Sequence, residues 1–347
     1  MNILITGNMG YVGPAVVRQL RSSYPGAWLA GLDMGYFAHC LTAADVLPEC
    51  GLDVQYFMDV RDIGVEMLSG VDAIVHLAAI SNDPMGNAFE EVTLEINYQA
   101  TVALAEKARE AGVRHFVFAS SCSVYGFAEG GARAEDAELN PLTAYAKSKV
   151  YSENDLRAMA NDRFIVTSLR FATACGMSER LRLDLVLNDF VANAIAAGKI
   201  VILSDGTPWR PLITVQDMAR AIDWAATRTV DNGGAFVAVN VGSNTWNYQV
   251  RALAEAVARE IPGIDVTVNK DAAPDKRSYQ VNFDLFGRLA PRHQARIDLA
   301  GAITALKDGL IAMRFKDANF RQSSYMRLKV LQEHLDKGRL TRRLRWS

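Results

Sequence analysis

The sequence predicts an α/β protein: a doubly wound parallel sheet in the first half, followed by a smaller mixed lobe. Three observations lead there. Short β-rich runs alternate with stretches of helical periodicity through the first half, the pattern of strands joined by crossover helices. Several of those runs, Ala73-Ile74-Val75-His76-Leu77 among them, are nearly continuous in apolar residues, as expected of strands covered on both faces. A chain of 347 residues, half of them hydrophobic, also exceeds what one core usually organises, so two lobes are expected: residues 1–173 and 174–347, with parts of 210–240 returning to the first.

Taken in order, strands are expected at Asn2–Thr6, Ala27–Asp33, Asp53–Asp59, Ala73–Ala78, His115–Ser120 and Phe164–Arg170. Helical spacing occupies Val12–Ser22, Leu94–Ala111 and Thr143–Ala160; Pro14 falls in a first turn, where a missing N–H is harmless, and Gly112 supplies a stop. From about Ala174 the pattern loosens. Helices are expected near Asp184–Ala197, Val215–Thr229 and Tyr248–Ile261, short strands near Ile200–Leu203 and Ala235–Val239, and a turn at Ser204-Asp205-Gly206. Two more helices, Asp298–Met313 and Phe320–Lys337, follow. No internal repeat or low-complexity linker interrupts the chain, so the lobes are expected to pack tightly.

Composition narrows the function classes. A formal net charge of −2 argues against an electrostatic nucleic-acid binder, and the local basic run Arg339, Arg342, Arg343 and Arg345 reads as a solvated end. The cysteines, Cys40, Cys50, Cys122 and Cys175, show no C-x-x-C spacing, so neither a disulfide framework nor a metal cluster is expected. No basic and apolar leader precedes the first strand and no apolar run is long enough to span a bilayer; no membrane association is expected, and a cytoplasmic location is.

Chemistry enters at the first strand–helix junction. In Thr6-Gly7-Asn8-Met9-Gly10-Tyr11-Val12-Gly13, the glycines Gly7, Gly10 and Gly13 let the backbone turn sharply and approach phosphate oxygens. The helix-start N–H groups around Tyr11 and Val12 would face a pyrophosphate with the positive end of the dipole. Asp33, at the end of the second expected strand, either hydrogen-bonds a ribose diol and repels a 2′-phosphate, which favours NAD over NADP, or is an ordinary turn carboxylate. Asp59-Val60, ending the third, either meets the adenine edge or caps the segment from Arg61. Farther along, Ser121 stands at a strand end, and Tyr145 and Lys149 lie four apart on one expected helix and so on one face. A tyrosine of ordinary pKa, about 10, is a poor base at neutral pH, but a nearby ammonium and a positive nicotinamide favour its phenolate. Tyr145 then serves as general base, Lys149 lowers its pKa and holds the nicotinamide ribose, and Ser121 donates to the reacting oxygen.

These residues, with His76-Leu77-Ala78-Ala79, Asn97, Ser120-Ser121-Cys122-Ser123-Val124-Tyr125-Gly126 and Tyr145-Ala146-Lys147-Ser148-Lys149, resemble the extended short-chain dehydrogenase/reductase family, and within it the nucleotide-sugar epimerase/dehydratase type. The likeness runs from Asn2 to about Asp217. It implies a Rossmann-type first domain holding NAD, a nucleotide-diphosphate sugar as substrate, and a homodimer formed through the helices at Leu94–Ala111 and Thr143–Ala160. It implies that Leu77, Ala78 and Ala79 line the NAD channel and that Asn97 lies beside the sugar or structures the site; a satisfied polar residue on a buried helix face is the plainer reading of Asn97. Asn188 is implied on a phosphate or the nucleotide ribose, and Arg210 and Arg277 on the diphosphate, a task that suits guanidinium forks; a surface ion pair is the alternative for each arginine.

The departures from the family pattern discriminate among its reactions. Where 4,6-dehydratases carry Asp and Glu after the catalytic hydroxyl, this chain has Cys122 and Ser123, and decarboxylating relatives likewise tend to carry Glu at the place of Ser123. Thr173 stands where the family usually has Asn, and Thr214 where it has His before Val215-Gln216-Asp217. Ser123 and Thr173 are therefore sugar-facing candidates with altered chemistry, and Cys122 reads as a small buried residue behind the strand end. Trp209 and Trp246 either stack on a base or sugar or pack between lobes. A nucleotide-sugar 4-epimerase is the expected reaction. A 4-dehydrogenase or ketoreductase is the alternative among enzymes, and a dinucleotide-sensing protein without turnover is the alternative from another class.

Overall fold

The first strand, β1 (Asn2–Thr6), sends Ile3 and Ile5 into one core and Leu4 into another, and none of the three is more than 2% exposed. Burial on both faces is what a central parallel strand requires. In the computed structural model, which describes residues 1–42, 44–81, 83–268 and 278–347, β1 leads into α1 (Gly13–Ser23) and then β2 (Trp28–Asp33), β3 (Val54–Phe57) and β4 (Ala73–His76). A broken helical stretch follows, made of α2 (Asp83–Ala88), α3 (Glu90–Leu94), a π-helical turn at Glu95–Gln99 and α4 (Ala100–Glu110). Next come β5 (His115–Ser121), a short β6 (Phe127–Arg133), α5 (Ala144–Met159) and β7 (Ile165–Phe171).

The remainder alternates between building the second lobe and completing the first. β8 (Thr173–Cys175), α6 (Val186–Ala197), β9 (Lys199–Ile202) and β10 (Trp209–Thr214) precede α7 (Val215–Ala225) and β11 (Phe236–Val241). β12 (Asn247–Gln249), α8 (Val250–Glu260), β13 (Asp265–Val268), β14 (Ser278–Val281), α9 (Asp284–Leu289), α10 (Leu299–Ala312) and α11 (Arg327–Asp336) follow.

Among the described residues the main sheet has seven strands in the order β11-β7-β5-β4-β1-β2-β3, all parallel. From β1 the chain winds outward to β2 and β3, then returns to add β4, β5, β7 and β11 on the other side. Loops after β1 and β4 therefore diverge and open a crevice over the carboxyl ends of the strands, the usual ligand position in such sheets. α1 and α7 bury Val16 and Ile222 against one face, and α4 and α5 bury Leu104 and Leu156 against the other. Smaller sheets, β12-β10-β8, β13-β9 and β14-β6, frame the second lobe. No helix among the described residues is long and apolar enough to cross a membrane.

Several expectations need correcting. The helix expected over Leu94–Ala111 starts earlier and is interrupted by the π-helical turn, where the Asn97 carbonyl accepts from Thr101 Oγ1 at 2.8 Å and Ser152 Oγ at 3.1 Å. The helix expected over Phe320–Lys337 is a 3-10 turn at Phe320–Gln322 followed by α11. Trp209–Thr214, for which no element was expected, is a strand because β8 and β12 both pair with it. The basic tail is not a solvated end. Leu340 and Leu344 are buried, Arg343 pairs with Glu95, Arg345 pairs with Asp62, and Trp346 Nε1 donates to Met34 O at 2.6 Å. A count of charges missed the leucines spaced between the arginines.

Candidate active site

A cavity of about 800 Å³ occupies the crevice over β1 and β4. At its floor Gly7 takes φ of +75°, and a Cβ there would sit 2.5 Å from Ala78 N; only glycine lets the β1 turn abut the end of β4. Gly13 serves the same closeness one turn on, where an added Cβ would lie 1.8 Å from Asn8 O. Gly10, Tyr11 and Val12 line the cavity, while Gly13 packs behind it. No side chain caps α1, so its first N–H groups remain available to an anion. Asp33 lines the cavity at the end of β2, accepting from Met9 N at 3.0 Å and Gly35 N at 2.8 Å, and burial raises its pKa. Leu77, Ala78 and Ala79 line it after β4.

Asp59 and Val60 also line the cavity, but the Asp59 carboxylate is taken. It caps the short turn at Val60–Asp62 by accepting from Arg61 N at 2.9 Å, and it pairs with the Arg61 guanidinium, which also reaches Glu95 Oε1 at 3.0 Å. The capping alternative is thus the arrangement present here.

The far end gathers Ser121, Tyr145 and Lys149. Thr143 caps α5, accepting from Ala146 N at 3.1 Å, and so fixes the helix that presents Tyr145 and Lys149 from one face. Ser121 Oγ accepts from Ser123 N at 3.1 Å and stands within hydrogen-bonding reach of the Tyr145 phenol. Lys149 Nζ lies 5.5 Å from the Tyr145 ring centroid and 4.7 Å from that of Phe118. Burial pushes Tyr145 up to about 12 and pulls Lys149 down to about 7. At Tyr145 burial is the largest influence, and the Ser121 hydrogen bond and the Arg182 charge pull the other way. Below Lys149, Glu153 is bound by Arg170, with a closest approach of 2.7 Å, and accepts from Ser168 at 3.0 Å. That anion holds part of the lysine's charge in place.

Two expected substrate residues turn away from the cavity. Asn97 Oδ1 accepts from Ile80 N at 2.8 Å and its Nδ2 donates to Ile80 O at 2.9 Å, so it fixes the loop after Ala79. Asn188 is fully buried, accepting from Gly176 N at 2.9 Å and donating to Tyr11 OH at 2.9 Å and Arg182 O at 2.8 Å. Its amide locks the loop before α6 onto the glycine turn and has no donor left for a phosphate. Ser123 and Thr173 do line the cavity, and the Ser123 hydroxyl finds no partner among the described residues. Arg210 lines it from β10, with Nη1 on Trp209 O at 2.8 Å. Arg277 lies outside the described residues. Trp246 belongs to the core, 5% exposed.

Sequence reasoning missed Arg182. It lines the cavity, donates to Ser81 Oγ at 2.8 Å, and forms a two-pronged pair with Asp184 at 2.8 and 2.9 Å. The signal lay in Arg180-Leu181-Arg182-Leu183-Asp184, charges alternating with leucines just ahead of a helix. Thr214, where a histidine was expected, caps α7 by accepting from Asp217 N at 3.2 Å.

The cavity meets the needs of a dinucleotide: a glycine cradle at an uncapped helix start, a carboxylate at one end, and a hydroxyl, phenol and amine at the other. The model of the NAD dependent epimerase/dehydratase family matches residues 3–242. A UDP-glucose 4-epimerase of Bacillus subtilis is 28% identical over 289 residues, 76% of this chain and 84% of the relative. A dTDP-glucose 4,6-dehydratase of Streptomyces griseus is 27% identical over 320 residues, 90% of this chain and 92% of the relative. Among solved structures, MoeE5 in complex with UDP-glucuronic acid and NAD superposes with a TM-score of 0.76 at 26% identity, covering 90% of this chain and 99% of that one.

Proposed function

The chain belongs to the NAD dependent epimerase/dehydratase family, and on that premise we propose that it inverts a nucleotide sugar at C4 through a transient 4-keto sugar. It is an NAD-dependent enzyme of the extended short-chain dehydrogenase/reductase type, and NAD supplies reversible acceptance of hydride. Tyr145 takes the proton of the C4 hydroxyl, Ser121 donates a hydrogen bond to the oxygen as it becomes a carbonyl, and the ammonium form of Lys149 stabilises the phenolate. The sugar lies between these groups and Ser123, Thr173 and Arg182. Arg210, joined by Arg277 in the proposal, meets the diphosphate.

One observation carries the choice of epimerisation over dehydration. The Cys122 thiol is fully buried, spends its hydrogen on Arg170 O at 3.1 Å, and is driven to a high pKa by burial; Ser123 offers only a hydroxyl. The carboxylates at this end are engaged, Asp83 by Thr143 at 2.6 Å and Asp184 by Arg182. Elimination of water needs an acid and a base beside C5 and C6, and these positions supply neither.

The test incubates purified protein, without added NAD, with UDP-, GDP-, dTDP- and CDP-sugars and follows products by NMR and reduced nicotinamide by absorbance. Many turnovers to a C4 epimer with little NADH are expected. One burst of NADH with a keto sugar, and more product only on adding NAD, would instead make it a dehydrogenase. A homodimer through the π-turn region with α4 and through α5 is part of the proposal, supported by Tyr151, 43% exposed on α5 and packed edge-on against Tyr98. Light scattering giving a monomer mass would refute it. We also place the protein in the cytoplasm, which cell fractionation checks.

A further inference from the structure

The cavity holds a buried cation that no carboxylate answers. Arg327, the first residue of α11, lines the cavity yet is 1% exposed. Its Nη1 donates to Ser324 O at 2.9 Å, and its Nη2 to Arg180 O at 2.8 Å and Leu181 O at 3.2 Å. The guanidinium lies 5.0 Å from the Phe37 ring centroid, and Nε has no hydrogen-bond partner. No ion pair holds it among the described residues, since Asp184, whose field reaches it, is committed to Arg182. Arg180, also 1% exposed, leaves Nε and Nη1 without partners and meets Glu49 only through Nη2 at 2.9 Å. A guanidinium so deep in a low-dielectric site is unfavourable without a counter-charge, and burial lowers its pKa to about 10.

α11 is nevertheless held firmly there. His334 Nε2 meets Tyr36 O at 3.0 Å, and the Trp346 ring packs edge-on against His334 with centroids 5.1 Å apart. Met34, Tyr36 and Phe37 line the same cavity directly after Asp33, so Arg327 arrives on the side where Asp33 stands, from a helix beyond the residues that match the family model.

We propose that Arg327 is a cofactor-binding residue whose buried charge is answered by the diphosphate of NAD, and that this contact keeps NAD on the protein between half-reactions. The retention rests on the epimerase reading, which needs a cofactor that stays; the contact itself does not. A nucleotide sugar carries the same diphosphate chemistry, and the packing of Arg327 on Phe37, three residues from the adenosine-side loop start at Met34, assigns it to the dinucleotide.

The experiment compares wild type, Arg327→Met and Arg327→Lys. NAD release is followed by exchange into excess fluorescent etheno-NAD, UDP binding by calorimetry, and melting on protein stripped of nucleotide. Arg327→Met is expected to release NAD about tenfold faster or more and Arg327→Lys within about threefold of wild type, with UDP affinity unchanged. Stripped Arg327→Met should melt somewhat below stripped wild type, because Ser324 O, Arg180 O and Leu181 O lose the donor that Arg327 gives them. Unchanged NAD release, or a loss of UDP rather than NAD affinity, would overturn the proposal. If Arg327→Met does not fold, hydrogen exchange on wild type decides: amides of residues 324–330 gain protection with NAD and not with UDP if the proposal holds, and protection by UDP alone or by neither refutes it. Absence of C4 inversion in wild type, with NAD release still accelerated by Arg327→Met, would remove the epimerase reading and leave the Arg327 assignment standing.

Discussion

Asn97 grips Ile80 by both of its backbone polar atoms, accepting from its N–H at 2.8 Å and donating to its carbonyl at 2.9 Å. The grip spans the turn between β4 and α2 and sets the path of Ala78, Ala79 and Ser81 along the cavity wall. Asn97→Ala leaves both Ile80 groups buried without partners. It should cost about 2–4 kcal/mol in urea unfolding and weaken NAD binding. A cost below about 0.5 kcal/mol would show that the loop holds itself.

His76 is buried between two threonines, Thr6 Oγ1 at 2.7 Å and Thr101 Oγ1 at 2.8 Å, and burial lowers its pKa to about 3, with the charge of Lys149 adding to the effect. The folded chain thus resists protonation that the unfolded chain accepts near 6.5. Stability from this group is complete above pH 6.5 and is lost as pH falls toward 3, about 2 kcal/mol of it by pH 5. Unfolding of wild type and His76→Gln between pH 7.5 and 5 should show a shallower slope for the variant; equal slopes would mean that other groups carry the acid sensitivity.

In the C-terminal tail the leucines should outweigh the arginines. Leu344 is fully buried, so Leu344→Ala is expected to cost about 2–5 kcal/mol. Arg343 pairs with Glu95 at 2.9 Å but its side chain is 72% exposed, and Arg343→Ala should cost less than about 1 kcal/mol. Chemical denaturation of the two variants checks the order, and the reverse order would return the tail to a charged, weakly packed end.

These contrasts show where sequence reading succeeds. The gathering of Gly7, Ser121, Tyr145 and Lys149 along one cavity was legible because it follows from local geometry: a strand–helix turn, a strand end, one face of a helix. Asn97 fits its plainer reading, a satisfied polar residue on a buried helix face, while Asn188 was legible as a polar residue on a helix but not in its direction; both are spent on backbone that the fold brings to them, Ile80 and Gly176. Arg182 and Arg327 were missed because they reach the cavity from an aperiodic loop and from a helix more than 140 residues apart in sequence, joined only through the bonds of Arg327 to Arg180 O and Leu181 O. The tail was misread because net charge was weighed without the packing of Leu340 and Leu344.

On the proposed mechanism, Tyr145→Phe removes the proton acceptor and little else. Turnover should fall by about 10²–10⁴-fold while NAD content and melting temperature stay near wild type. Activity within about threefold of wild type would mean that another group moves the proton.

The most direct test of transient oxidation at C4 places deuterium on that carbon of the nucleotide sugar accepted in the substrate panel. The account predicts a C4 epimer that retains the deuterium at C4, with none lost to water and no stoichiometric build-up of reduced nicotinamide. Product that has exchanged its C4 deuterium for solvent hydrogen, or an epimer formed with no primary isotope effect and full activity in Tyr145→Phe, would contradict it.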